Sequence, residues 1–209
     1  MLPTQCVVLD LETTGTSPQY DRIIEIGLSE IEQGRVVEEW SSLVNPEVRL
    51  SPFIIQYTGI SDAQVTKAPT FAALAEDLFE RLRGKVLIAH NARFDYGFLK
   101  NEFTRVGLIY QEPTLCTLKL SRRLYPQYRR HGLDALIERH GLRVEARHRA
   151  LGDVRMTWEF VCKALEENPP EAVSHVLEKI LGPLTSQSGS QSSAQKKRAA
   201  QQAALFEVQ

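Results

Sequence analysis

Val7-Val8-Leu9-Asp10-Leu11-Glu12-Thr13-Thr14-Gly15-Thr16 is the stretch around which the rest of the 209-residue chain is organised. It is an apolar run that ends in two carboxylates and then a glycine, the pattern of a buried strand delivering acid groups to the edge of a sheet. Alternate side chains of a strand share a face, so Asp10 and Glu12 point one way and Leu11 the other. Two carboxylates held side by side repel unless something positive sits between them. A hard divalent cation is the commonest such partner, because it prefers oxygen ligands and an Asp/Glu pair supplies two. In isolation the same two residues read equally well as solvated acids where a strand meets a loop.

Composition narrows the surroundings. A chain of this length can bury one sizeable core, so one domain with an appendage is expected. No run is long or apolar enough to span a membrane, and Met1-Leu2-Pro3-Thr4 lacks the basic-then-apolar pattern of a secretory signal. Cys6, Cys116 and Cys162 are odd in number and far apart, which fits neither a disulfide framework nor a metal cluster. A reduced, cytoplasmic location is the expectation that follows. The net charge of -1 conceals a division: residues 1–118 hold 10 Lys/Arg against 16 Asp/Glu, and residues 119–155 hold 10 against 4. Arg122, Arg123, Arg129, Arg130, Arg139, Arg143, Arg147 and Arg149 dominate the basic segment. A basic stretch beside an acidic site suits a polyanion that must be held close to metals, and it also suits ordinary solvated helix faces.

Working outward from the opening strand, Arg22 to Glu32 alternates with apolar Ile24, Ile26 and Leu28, which predicts a second, half-buried strand. Gln33-Gly34 supplies a tight turn, and Val36 to Val44 reads as a third strand, completing an antiparallel meander. Two short helices are expected near Phe53 to Tyr57 and Asp62 to Val65. Thr70 can cap a helix with Phe71, Leu74, Leu78 and Leu82 at helical spacing. Lys85 to Ala89 is a short apolar strand that runs into His90-Asn91-Ala92-Arg93-Phe94-Asp95, and a helix from about Ala92 to Val106 places Asp95 in its first turn. Thr114 to Thr117 is the fifth strand, followed by helices through Leu124 and from His131 to His140. This alternation after the meander predicts an α/β fold, a mixed five-stranded sheet of antiparallel meander plus parallel strands, flanked by helices.

A second focus is His148-Arg149-Ala150-Leu151-Gly152-Asp153, which opens a helix striped by Leu151, Val154, Trp158, Val161 and Leu165. Residues five apart on one helix point about 140° away from each other. His148 is therefore expected on the preceding loop, able to swing toward the cavity that Asp153 faces. The compact part spans residues 1–167, residues 168–181 form a short helical extension, and residues 182–209 begin as a Ser/Gln/Gly-rich flexible linker. Asp10, Glu12, Asp95 and Asp153 all fall where acid groups can meet, and four acids with a nearby histidine point to two metals and a base. Two cations about 4 Å apart can clamp the attacking and leaving oxygens of a phosphodiester. A neutral histidine can take the proton of the attacking water.

Asp10-x-Glu12-Thr-Thr-Gly, His90-Asn91-Ala-x-Phe94-Asp95 and His148-x-x-x-x-Asp153 closely resemble the three motifs of the DEDDh 3'-5' exonucleases, whose fold is ribonuclease H-like. The likeness runs from about residue 4 to 166 and has the flavour of the proofreading epsilon subunits of bacterial DNA polymerase III. Three motifs in this order are highly specific, where any one alone would be weak. The resemblance implies two Mg2+ or Mn2+ ions, with Asp10 contacting both, Glu12 and Asp153 the first, and Asp95 the second through water. His148 would be the general base. The sister group carries a tyrosine base four residues before the last acid, and here that position is Arg149. The resemblance also implies that Thr13, Thr14, Gly15 and Thr16 contact the 3'-terminal nucleotide. His90 and Asn91 are either substrate contacts or residues that order the strand-to-helix turn, and Phe94 reads as core. His131, His140 and His175 sit at polar helix positions without ligand spacing, and Trp40 and Trp158 read as packing residues.

The tail brings in a partner. Gln202-Ala203-Ala204-Leu205-Phe206 resembles the short peptide by which bacterial proteins dock on the DNA sliding clamp, with Lys196-Lys197-Arg198 just before it. An apolar anchor on a tether raises local concentration at the DNA. The expected activity is hydrolysis of single-stranded or frayed 3'-ended DNA to nucleoside 5'-monophosphates in proofreading or repair, with a polymerase subunit as a further candidate partner. An RNA-trimming enzyme of the ribonuclease T or oligoribonuclease type is the alternative at the same site. A replisome accessory module acting mainly by docking is the alternative of another class.

Overall fold

A computed structural model describes residues 2–144 and 148–181. In it the opening stretch is strand β1 (Gln5–Thr13), paired antiparallel with β2 (Ile23–Glu32), which pairs antiparallel with β3 (Arg35–Leu43). Gln33 and Gly34 both take positive φ, 50° and 78°, the geometry by which a two-residue turn matches the twist of its hairpin. Helix α1 (Pro52–Thr58) starts where the Ser51 hydroxyl accepts from Ile54 N–H, with Pro52 preorganised at its first position. A single turn, α2 (Asp62–Val65), and α3 (Phe71–Leu82) follow, the latter capped as expected by Thr70. Strand β4 (Val86–Ala89) runs parallel to β1, and after α4 (Arg93–Arg105) strand β5 (Thr114–Cys116) runs parallel to β4. The remainder is α5 (Thr117–Leu124), α6 (Leu133–His140), α7 (Ala150–Glu167) and α8 (Pro170–Leu181). The sheet order is β3-β2-β1-β4-β5, a meander joined to parallel strands, so β1 lies at the centre.

The two faces of β1 sort its residues by parity. Cys6 and Val8 pack with Val154, Trp158, Phe160 and Val161 of α7 and with Val173 and Leu177 of α8. Val7, Leu9 and Leu11 pack with Phe71, Leu78 and Leu82 of α3 and Phe98, Leu99 and Phe103 of α4. Asp10 and Glu12 continue the even series and are carried to the α7 face. Burying an aliphatic or aromatic side chain contributes roughly 1.5–3 kcal/mol, so the apolar stripe of α7, more than any single polar contact at its start, holds the helix on the sheet. The approach is close at one point. A Cβ on Gly27 of β2 would lie 2.5 Å from the carbonyl carbon of Ala150, so only glycine lets the first turn of α7 rest on the strand.

Two histidines, His131 and His140, differ from their sequence reading. The helix expected from His131 begins two residues later, because the buried His131 ring is held in the preceding loop by Ser121 Oγ at 2.8 Å and the Tyr128 carbonyl at 2.9 Å. The His140 ring, rather than facing water, sits against Tyr125 and Phe160 and reaches Glu167. Among the described residues no helix is long and apolar enough to cross a membrane. Arg147, the linker, Lys196-Lys197-Arg198 and the Gln202, Leu205 and Phe206 peptide lie outside the described residues.

Candidate active site

Four elements converge at the C-terminal end of β1. Glu12 is 8% exposed in the strand, and Asp10, two residues earlier on the same face, is half-buried. Asp153 lies in the first turn of α7 at 7% exposure, and His148 precedes that helix in a turn with φ of 57°. The ligand atoms of Glu12, His148 and Asp153 all lie within 4.8 Å of one another. His148 reaches this position from the loop, as five-residue spacing on one helix would not allow. Asp10 and Asp95 fall outside that tight grouping.

Asp95 arrives from the opposite layer. It lies in the first turn of α4, only 2% exposed, and its carboxyl accepts from its own N–H and from the N–H of Leu11, between the two acids of β1. Burial pushes this carboxyl up to about 8; the two N–H bonds pull it back down, and the charge of Glu12 adds to the rise. A buried acid driven this far from its ordinary range beside other acids marks a candidate functional site. The carboxylate oxygens of Glu12 and Asp153 with the His148 imidazole form a group that could hold a metal ion.

The loop after β1 is fixed by its own hydrogen bonds. Thr13 Oγ1 donates to the Gly15 carbonyl at 2.6 Å, Thr14 N–H to the Arg22 carbonyl at 2.9 Å, and Ser17 N–H to Asp21 Oδ2 at 2.8 Å. A Cβ on Gly15 would meet the Asp21 carboxylate at 2.5 Å, so glycine lets the loop fold over that side chain. Thr16 is exposed at its tip. Arg22 then anchors the loop to α4, with Nε 2.7 Å from the buried carboxylate of Glu102. Of the second motif, His90 Nδ1 meets Thr117 Oγ1 at 2.9 Å, and Asn91 adopts a φ of 65° while its carbonyl accepts from Phe94 N–H. Asn91 thus shapes the turn between β4 and α4, and His90 ties the end of β4 to the start of α5.

Sequence reasoning missed three residues. Phe53 and Tyr57 form an exposed stacked pair on α1, 5.8 Å between ring centroids, and the Tyr57 ring lies 4.2 Å from that of His148. Two aromatics four apart on a helix and facing water were the available signal. The third is Glu25, directly opposite Glu12 across β1 and β2 and buried at 4% exposure. It accepts from Arg149 Nη2 at 2.8 Å and from Ala150 N–H at 2.9 Å. These bonds, with the charges of Glu25 and Glu12, raise the Arg149 guanidinium further above its already high range against the opposing effect of burial. Arg149 is therefore engaged within the protein, as is Arg139, which stacks over Tyr128 and bonds the Arg130 carbonyl. The basic segment is a smaller polyanion surface than its composition implied.

A mixed sheet flanked by helices, with acids gathered at the end of its central strand, defines a ribonuclease H-like α/β domain. The chain belongs to the exonuclease family of the RNase T type, whose model matches residues 7–161. It is 39% identical over 166 residues to the PolC-type DNA polymerase III of Caldanaerobacter subterraneus subsp. tengcongensis, covering 79% of this chain and 12% of that protein. It is 38% identical over 152 residues to the corresponding polymerase of Streptococcus thermophilus, covering 72% of this chain and 10% of that one. The chain thus spans about a tenth of the length of these relatives. Among solved structures, exonuclease X in complex with 5' overhanging duplex DNA superposes with a TM-score of 0.62 at 28% identity, covering 82% of this chain and 98% of that one. E. coli exonuclease I in complex with a dA16 oligonucleotide gives 0.72 at 20% identity over 84% and 43%, a likeness of fold.

Proposed function

We propose that the chain is a divalent-metal-dependent 3'-5' exonuclease that hydrolyses DNA to nucleoside 5'-monophosphates, in proofreading or repair. The observation that carries this reading is the convergence of Glu12, His148 and Asp153 within 4.8 Å, with buried Asp95 beside them. Two Mg2+ or Mn2+ ions held by the four acids would supply Lewis-acid stabilisation of the phosphodiester oxygens. His148 accepts a proton from the attacking water, its ring oriented by Tyr57. Thr13 to Thr16, locked by Asp21 and Arg22, present hydroxyls and backbone to the terminal nucleotide. The exposed Phe53 and Tyr57 rings give preceding bases a stacking surface, which is sequence-tolerant because every base has a π face. Hydrolysis is direct, and this arrangement requires no covalent enzyme intermediate.

An oligonucleotide labelled at its 5' end should shorten to a ladder of products that retain the label, and Asp10→Ala or EDTA should abolish that shortening. Release of the label as a mononucleotide would show the opposite polarity, and activity surviving chelation would remove the metal assignment. Matched DNA and RNA oligonucleotides distinguish the DNA reading from RNA trimming. The relatives named DNA polymerase III PolC-type support a polymerase setting for the domain. We extend the proposal to docking on the sliding clamp through Gln202, Leu205 and Phe206, on the strength of the sequence alone. Replacing Leu205 and Phe206 by Ala should weaken clamp binding and leave hydrolysis of short oligonucleotides unchanged; unaltered clamp binding would discard the docking peptide.

A further inference from the structure

We infer that Glu25 is the positioning residue for His148: by clamping Arg149 and the first N–H of α7 to β2, it sets which side chain of the loop meets Glu12 and Asp153. The inference rests on the nuclease reading of that site. Glu25 is the third residue of β2, set among Ile23, Ile24 and Ile26, and is almost wholly removed from water. Such a group is costly unless every lone pair is used. Here the donors come from two adjacent residues: Arg149 Nε lies 3.1 and 3.2 Å from the two oxygens, Arg149 Nη2 2.8 Å from Oε1, and Ala150 N 2.9 Å from Oε2. Both follow directly after His148.

Three features give the clamp its direction. Glu25 is the cross-strand partner of Glu12, so the loop is referenced to the same strand pairing that places the acid. No side-chain cap from Arg149 serves α7, and Glu25 takes that place, setting a negative charge at the helix start. His148 itself sits at φ 57°, a left-handed backbone that a non-glycine residue keeps only where its surroundings over-determine it. With the Arg149 fork drawn onto Glu25, the chain turns at His148 and the imidazole is left facing the acids.

The test is a double-mutant cycle on the full chain, read by steady-state hydrolysis of a single-stranded DNA oligonucleotide and by thermal melting. Glu25→Gln keeps the shape and loses the charged pair. It should lower kcat about 10- to 100-fold, the range found for groups that orient site ligands, with KM little changed. In a His148→Ala background the same substitution should produce no further loss, because Glu25 acts through His148. A full additional loss in that background, or a fall in KM and kcat that tracks the melting temperature, would overturn the inference. Arg149→Lys, which keeps the charge and loses the fork, provides the second variant, with a smaller loss that again vanishes in the His148→Ala background. Should His148→Ala alone retain full activity, the base assignment fails, a result distinct from failure of the clamp.

Discussion

A titration of Mg2+ against pH addresses Asp95 and the geometry around it. Its carboxyl, 2% exposed and beside Glu12, titrates at about 8 in the metal-free protein, against an ordinary 3.8. Below about 8 the metal-free site therefore keeps this proton, and a cation that needs the carboxylate must expel it. Affinity for Mg2+ should rise with pH and level off above about 8. One proton released per site means up to tenfold per pH unit, about 1.4 kcal/mol, well below 8 and less near it, so Kd falls roughly 50-fold from pH 6 to 8. The same linkage acts on stability with the opposite sign. The folded metal-free protein holds the Asp95 proton more tightly than the unfolded chain does, so it loses stability as pH rises from about 4 toward 8, and Mg2+ restores it at the upper end. Calorimetric titration in two buffers of different ionisation enthalpy measures both the affinity and the proton count. Asp95→Asn should flatten the slope. A Kd independent of pH, with no proton passed to the buffer, would refute the placement of a cation beside Asp95.

Gly27→Ala forces a methyl onto the backbone of Ala150 and Leu151, which cannot yield as a side chain can; it should cost about 1–3 kcal/mol in urea unfolding and lower activity by shifting Asp153. Arg22→Ala leaves the buried Glu102 with Arg105 as its remaining ion-pair partner and should cost roughly 3 kcal/mol, with raised KM because the Thr14 to Asp21 loop loses its anchor. A melting temperature within error of the parent would reject either account. Replacing Phe53 and Tyr57 by Ala should raise KM for single-stranded oligonucleotides, by roughly 1–3 kcal/mol per lost stack; an unchanged KM would show that the exposed pair does not touch substrate.

The sheet was legible in the sequence because its signals are local. Alternation over Ile24 to Leu28, the Gln33-Gly34 turn, and short apolar runs followed by helical spacing each concern a few neighbouring residues. The resulting order, β3-β2-β1-β4-β5, needed only the usual rules of connection. The acids were legible for a related reason, since each sits toward the end of a strand or in the first turn of a helix. His131 and His140 were misread because their partners are distant: Ser121 is ten residues from His131, and Glu167 is 27 from His140. The arginines of the basic segment illustrate the same limit. Arg149 reads as one more surface cation until Glu25, 124 residues earlier, is placed against it.

Glu25 also shows why a strand can carry site information that no spacing within it discloses. In β2 it reads as the polar phase of an alternating strand, and its glycine neighbour two residues on reads as a weak strand former. Pairing changes both meanings. Antiparallel register sets Glu25 opposite Glu12 and Gly27 opposite Asp10. The acid-x-acid of β1 is thus answered by Glu25-x-Gly27 of β2, all four on the face that α7 covers. Glycine makes room for the helix carrying Asp153, and Glu25 ties down the loop carrying His148. A slip of one residue in this register would send Glu25 to the α3 and α4 side and bring a bulky isoleucine under α7. The site is therefore encoded in the pairing of two strands, and the half contributed by β2 becomes readable only once the register is known.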